Sequence, residues 1–191
     1  MRGWCGRIVT AAVVLAAGAS TRLGEPKQLV MLGGEALLER AARTATAAGC
    51  APVVVMLGAA GEQIAARCDL GDAVTVLNPE WAEGMASSIR AGVAAVAGAT
   101  GIVLMTCDQP AVTAEHLRAL MASSEVTASS YAGRRGVPAY FPAASFAALL
   151  DLRGDSGARE LLRAAVAIDL PGGELDVDTA ADLAAAERLL C

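Results

Sequence analysis

At 191 residues the chain fits one domain, at most with a small elaboration. Apolar residues make up 55%, ample for a core, whereas aromatics at 3% leave few platforms for stacking single-stranded nucleic acid. The net charge of −5, with no basic stripe, argues against a DNA or RNA partner, and no apolar run reaches the roughly 18–20 residues of a membrane span.

Residues 8–15 read as the first strand, continuous in apolar and β-branched side chains as parallel strands covered on both faces tend to be. The run also imitates a secretory signal, with Arg2 and Arg7 as a basic region and Ala17-Gly18-Ala19 as a cleavage site. That alternative would discard the strand that positions the residues after it. The chain then breaks into small residues, with Gly18 and Gly24 bracketing Ser20, Thr21 and Arg22. Successive backbone N–H groups of such a loop form a nest for phosphate, and Arg22 and Lys27 add positive charge. Lys27 is the sole lysine among fifteen Lys and Arg, a compact ammonium where every other cation is a guanidinium. The loop is neither a Walker loop nor a G-x-G-x-x-G turn, and a plain glycine turn with a surface Arg and Lys remains the alternative.

Residues 35–49 read as an amphipathic helix closed by Gly49, 53–57 as a second buried strand, 61–68 as a short helix and 74–77 as a third strand. Strands alternating with helices imply βαβ units and a mainly parallel sheet, whose ligands lie beyond the carboxyl ends of its strands. After the third strand, Asn78, Gly84, Ser87 and Ser88 put small polar groups before a helix, to cap it or to hold an anion. Trp81 is expected to pack or anchor that loop.

A fourth strand over 101–106 ends in Cys107-Asp108-Gln109-Pro110. A carboxylate there suits Mg²⁺, which takes one or two protein carboxylates and fills its shell with water and phosphate oxygens. The alternative is a turn capping the helix from Thr113. Cys107 reads as a buried neighbour, and His116, the sole histidine, as a surface residue. Five cysteines with no C-x-x-C pair indicate neither a disulfide framework nor a zinc site, so reduced thiols and a cytoplasmic location are expected.

Further on, 126–131 reads as a strand, 133–136 as a turn into Val137-Pro138, 159–165 as a helix and 166–170 as a late strand. Asp155 or Ser156 suits the cap of the 159–165 helix. Asp176-Val177-Asp178-Thr179 precedes a helix over 180–190, where Asp178 or Thr179 would make a good N-cap.

Leu-Ala-Ala-Gly-x-Ser-x-Arg-x-Gly-x-Pro-Lys over 15–27 resembles the signature loop of the MobA-like nucleotidyltransferases, the family of molybdenum cofactor cytidylyltransferases and guanylyltransferases. The likeness extends through Asn-Pro-x-Trp-x-x-Gly-Met-x-x-Ser-Ile from 78, Cys-Asp-Gln-Pro from 107, Gly-x-Pro-x-x-Phe from 136, Gly-Asp-x-Gly-Ala-Arg from 154 and Asp-x-Asp-Thr from 176. It covers residues 8–190 as a single domain, and implies a three-layer α/β Rossmann-like fold with a nucleotide half over 8–110 and an acceptor half over 111–190.

By that resemblance Leu15, Ala16, Ala17, Gly18, Ser20, Arg22, Gly24, Lys27, Asn78, Gly84 and Ser88 contact the nucleotide. Arg22, Lys27 and Asp108 serve catalysis. Asp108 with Asp178 or Asp176 holds Mg²⁺, and Pro138, Gly157 and Arg159 face the acceptor, with Arg134 or Arg135 as further candidates. Val137 stands where family members often carry His. Ala16-Ala17, rather than Gly-Gly, is similar to the cytidylyltransferase branch, and a methyl beside the base narrows its space in favour of a pyrimidine. The resemblance implies CTP, or GTP in its place, and a molybdopterin-like phosphate acceptor. A molybdoenzyme or its chaperone is a candidate partner. The alternatives are a related transferase acting on another phosphorylated small molecule, or a non-catalytic nucleotide- or cofactor-binding chaperone.

Overall fold

The computed structural model describes residues 9–18, 24–155 and 157–190. The chain runs through β1 (Thr10–Ala16), a small hairpin of β2 (Met31–Leu32) and β3 (Glu35–Ala36), and α1 (Leu37–Ala47). Next come β4 (Val53–Leu57), α2 (Gly61–Ala65), β5 (Val74–Leu77), α3 (Met85–Ala95), β6 (Gly101–Thr106) and α4 (Ala114–Met121). The remainder comprises β7 (Thr127–Tyr131), β8 (Arg134–Pro142), α5 (Phe146–Leu150), α6 (Arg159–Leu162), β9 (Val166–Asp169) and α7 (Ala180–Leu189).

A strand buried on both faces must be apolar on both, and β1 meets that demand residue by residue. Ala12, Val14 and Ala16 pack with Leu38, Ala41 and Ala45 of α1, Ile64 of α2 and Leu117 of α4. Ala11, Val13 and Leu15 pack against Ile89 and Val93 of α3, Leu149 of α5 and Leu162 of α6. The result is three layers, helix, sheet and helix, with β1 at the centre of the core. No helix among the described residues is long and apolar enough to cross a membrane.

The sheet order is β5-β4-β1-β6-β8-β7-β9. Neighbours pair in parallel except that β8 runs against both β6 and β7. From β1 the chain steps outward to β4 and β5, then crosses back to β6 on the other side of β1. That reversal opens a crevice at the carboxyl ends of β1 and β6, the place where open α/β sheets hold ligands.

Several local expectations shift once the partners are present. The helix expected over 35–49 starts at Leu37, because Glu35-Ala36 pairs with Met31-Leu32 instead. The turn expected over 133–136 lies one step earlier, at Ala132 and Gly133 with φ of 47° and 72°, and 134–136 already belong to β8. The helices expected over 61–68 and 159–165 close at Ala65 and Leu162. Neither Ser87 nor Ser88 caps α3. Asp155 does so from a distant loop, its Oδ1 accepting from Met85 N at 3.2 Å. Thr179, not Asp178, caps α7, in a reciprocal box with Asp182.

His116 is not on the surface: it is 9% exposed, and its Nε2 lies 2.7 Å from Ser129 Oγ. The Ser129 hydroxyl donates to Pro138 O at 2.7 Å, so the imidazole nitrogen is the donor to Ser129. α4 turned this ring inward against β7 and β8, which its own helical spacing did not reveal.

Candidate active site

Where β1 ends, Leu15, Ala16, Ala17 and Gly18 form one wall of a cavity of about 470 Å³, within the size range of small-ligand sites. Lys27 and Gln28 lie beneath it, residues 81–85 and Ser88 close the far side, and Thr106, Cys107 and Asp108 enter from the end of β6. Gly84 is there for a steric reason. Its φ is +112°, and a Cβ on it would meet Gly154 O at 2.7 Å. Asn78 sits behind the wall, 4% exposed, donating to Ser87 Oγ at 2.8 Å and Ser88 Oγ at 3.0 Å, so it positions the residue that lines the cavity. Trp81 lines it too and stays partly exposed. Gly24, at φ +73°, is exposed beyond the lining, while Ser20 and Arg22 lie outside the described residues.

Gln28 is a site residue that sequence reasoning missed. It is 1% exposed, and its Nε2 donates to Ala16 O at 2.6 Å and Gly18 O at 3.1 Å. It thereby pins the start of the glycine loop to the turn carrying Lys27. Nothing but its adjacency to Lys27 could have signalled this in the sequence.

Lys27 Nζ forms 2.6 Å ion pairs with both Asp108 Oδ2 and Asp178 Oδ1. These residues are 81 and 151 positions away along the chain. Val177 N donates to Asp108 O at 2.9 Å, which draws the 176–178 segment alongside the end of β6. Burial works against the ammonium, but the two carboxylates outweigh it and hold its proton well above the ordinary lysine range. Asp176 stands in the same cluster. Burial first, then repulsion from Asp108 and Asp178, push its carboxyl up to about 6 against the opposing pull of Lys27 and Arg134. Cys107 is buried, and burial pushes its thiol far up, which counts against it as a nucleophile.

A second cavity of about 280 Å³ adjoins the first through Met85, Thr106, Asp108 and Asp155. Asp176, Tyr131, Arg134, Arg135, Gly157 and Arg159 line it. Pro138 is buried within β8, and its neighbours Gly136 and Val137 face this cavity instead. Gln109 braces the wall, donating to Tyr131 Oη at 3.2 Å and Gly173 O at 3.0 Å.

Residues 12–169 match the model of the MobA-like NTP transferase domain. The chain belongs to that family. Among its relatives, nicotine blue oxidoreductase of Paenarthrobacter nicotinovorans is 36% identical over 79% of this chain and 80% of its own length. Purine catabolism protein PucB of Bacillus subtilis is 33% identical over 87% of this chain and 90% of its own. The crystal structure of Rv0371c from Mycobacterium tuberculosis H37Rv superposes with a TM-score of 0.79 at 34% identity, covering 95% of this chain and 99% of that one. Rv0371C has also been solved as a complex with manganese, 31% identical to this chain with a TM-score of 0.78.

The acidic side chains at this junction are oxygen donors of the kind that a divalent cation takes. Two carboxylate oxygens already converge on one cationic nitrogen, and Asp108 Oδ1 is buried without a hydrogen-bond partner. Among the described residues no group of three or more His, Cys, Asp or Glu would hold a metal unaided. The donor set is therefore partial and hard, of the kind that leaves coordination to water and phosphate oxygens.

Proposed function

We propose that this chain transfers CMP from CTP to the terminal phosphate of a molybdopterin-type cofactor, releasing pyrophosphate. The observation that carries the reading is Lys27 bridging Asp108 and Asp178 where two cavities meet, one beside the glycine loop and one lined with arginines. Residues 8–110 would serve the nucleotide and 111–190 the acceptor.

In this mechanism an acceptor phosphate oxygen attacks the α-phosphorus, and the bond to the pyrophosphate oxygen breaks. Such a step calls for alignment and charge neutralisation more than for a covalent nucleophile. Backbone N–H groups over 17–24 cradle the triphosphate, and Lys27 with Arg22 stabilises the charge that develops toward pyrophosphate. Asp108 and Asp178 are the ligands we assign to Mg²⁺, with Asp178 ahead of Asp176 because it already shares a cation with Asp108. When bound, that ion neutralises and orients the reacting phosphates. An ionised phosphate monoester needs no general base, and the one histidine is committed to Ser129. Ala16 and Ala17 beside the cavity favour the smaller base, hence CTP over GTP. Gly157 and Arg159 would hold the acceptor, and the chain would act in the cytoplasm, handing its product to a molybdoenzyme or its chaperone.

The relative named an oxidoreductase supports a second reading, redox chemistry in the same crevice. The buried Cys107 thiol and the missing dinucleotide fingerprint count against it here. The deciding assay mixes protein, Mg²⁺ and a pterin phosphate with CTP or GTP and follows pyrophosphate. Release with CTP above GTP is expected. Nucleotide binding with no pyrophosphate from either would overturn transfer in favour of a carrier.

A further inference from the structure

Beyond the acceptor cavity lies a third hollow of about 370 Å³, lined by Gly133, Arg134, Arg135, Arg159, Leu162 and Arg163. It shares Arg134, Arg135, Arg159 and Leu162 with the acceptor cavity, so the two form one continuous groove leading away from Asp108. Four of the fifteen cations of an acidic chain meet there, and no carboxylate lines the hollow.

These guanidiniums are poorly neutralised by the protein itself. Among the described residues Arg163 pairs with Glu160 alone, at 2.8 Å, and both are well exposed, which makes that pair weak. Arg134 lies over the Tyr131 ring at 5.4 Å. Arg135 donates Nε to Ala165 O at 2.9 Å, which fixes its plane and leaves its Nη groups without a protein acceptor among the described residues. Arg159 makes no hydrogen bond or ion pair to a described residue. A tight reversal at Ala132 and Gly133 delivers the first two arginines side by side at the start of β8. Four guanidiniums gathered against one exposed glutamate and the Asp176 carboxylate near Arg134 leave room for a further anion, and planar guanidiniums suit phosphate or carboxylate.

Resting on the transferase reading above, we propose that this groove binds a second anionic group of the acceptor. The acceptor is then a small molecule with two separated anions. One receives the nucleotide beside Asp108, and the other seats among Arg135, Arg159 and Arg163. The hollow is short and continuous with the reacting cavity, which favours a small molecule over an acidic peptide.

Linear alkane bisphosphates of graded spacer length, and the matching monophosphates, are titrated calorimetrically into the full chain. At the best spacer the bisphosphate should bind about tenfold tighter, because its second phosphate finds the groove at high effective concentration. Arg135→Ala/Arg163→Ala should abolish that advantage, bringing the bisphosphate down to the affinity of the monophosphate for the same variant, and keep the affinity for Mg·CTP, whose cavity neither residue lines. Arg163→Ala alone, at an exposed side chain, should lose about threefold. Arg67→Ala, an exposed arginine lining neither cavity, should lose nothing. No advantage at any spacer, or an advantage surviving the double substitution, overturns the groove. Pyrophosphate release is read separately. Release without a bisphosphate advantage rejects the groove alone, and the converse rejects transfer while the anion site stands.

Discussion

Two of the polar clusters among the described residues differ in whether the protein completes them. In the first, His116 Nε2 meets Ser129 Oγ and Ser129 donates to Pro138 O, a closed chain between α4, β7 and β8. In the second, one ammonium faces Asp108, Asp178 and Asp176, and a buried oxygen of Asp108 is left over. A completed buried network holds structure together, whereas an incomplete one stores binding capacity for something that arrives later. The contrast separates a scaffold histidine from a site lysine better than residue type does.

The sharpest way to break the contrast is to neutralise the second cluster. Asp108→Asn leaves Lys27 paired with Asp178, so thermal stability should hold within about 1 kcal/mol while pyrophosphate release falls roughly 10²–10⁴-fold. Undiminished turnover would remove Asp108 from the chemistry. The mirror experiment strikes the closed chain. Ser129→Ala orphans the imidazole N–H and Pro138 O, and should cost about 1–3 kcal/mol in denaturant unfolding with turnover per folded molecule unchanged.

Acidity should pull the clusters in opposite directions. Burial lowers the His116 pKa, so the unfolded chain takes up its proton first, and stability falls as pH drops below about 6.5. Asp176 is raised to about 6, so its contribution is full at low pH and is lost as pH rises through that value. With chelator present, Asp176→Asn should melt higher than the parent above pH 6 and match it in acid. His116→Gln should flatten the acid limb. A profile unchanged by either substitution would erase the distinction. The smallest effect belongs to neither cluster: Arg43→Ala, losing the exposed pair with Glu35, should shift stability by no more than about 0.5 kcal/mol, measured in the same unfolding series.

The fold was legible wherever a local pattern decided it. Residues 53–57, 74–77 and 101–106 are apolar runs between breakers, and they stand as β4, β5 and β6 with those bounds. Boundaries slipped where a distant strand competed for the backbone, as Glu35-Ala36 shows by leaving α1 for a hairpin. At the site, Lys27 and Asp108 stood out as a unique cation after a glycine loop and a carboxylate ending a strand. Their meeting with Asp178 had no local trace, since 151 residues separate Lys27 from Asp178. The same holds for Asp155 capping α3 and for Gln28 pinning the glycine loop. Such contacts are set by which chain ends the sheet gathers at one edge of the crevice.

One departure from a parallel sheet carries a consequence for how this protein can change. Because β8 runs against its neighbours, its connection to β7 is a two-residue bend instead of a crossover helix, and that bend overhangs the crevice. A helix in its place would tie any edit to the packing beneath, but a bend open to solvent can gain, lose or exchange residues while Tyr140 and Phe141 stay put in the interior. Selection for a new acceptor therefore has a cheap dial here, turned by loop length and by the charges at positions 134 and 135.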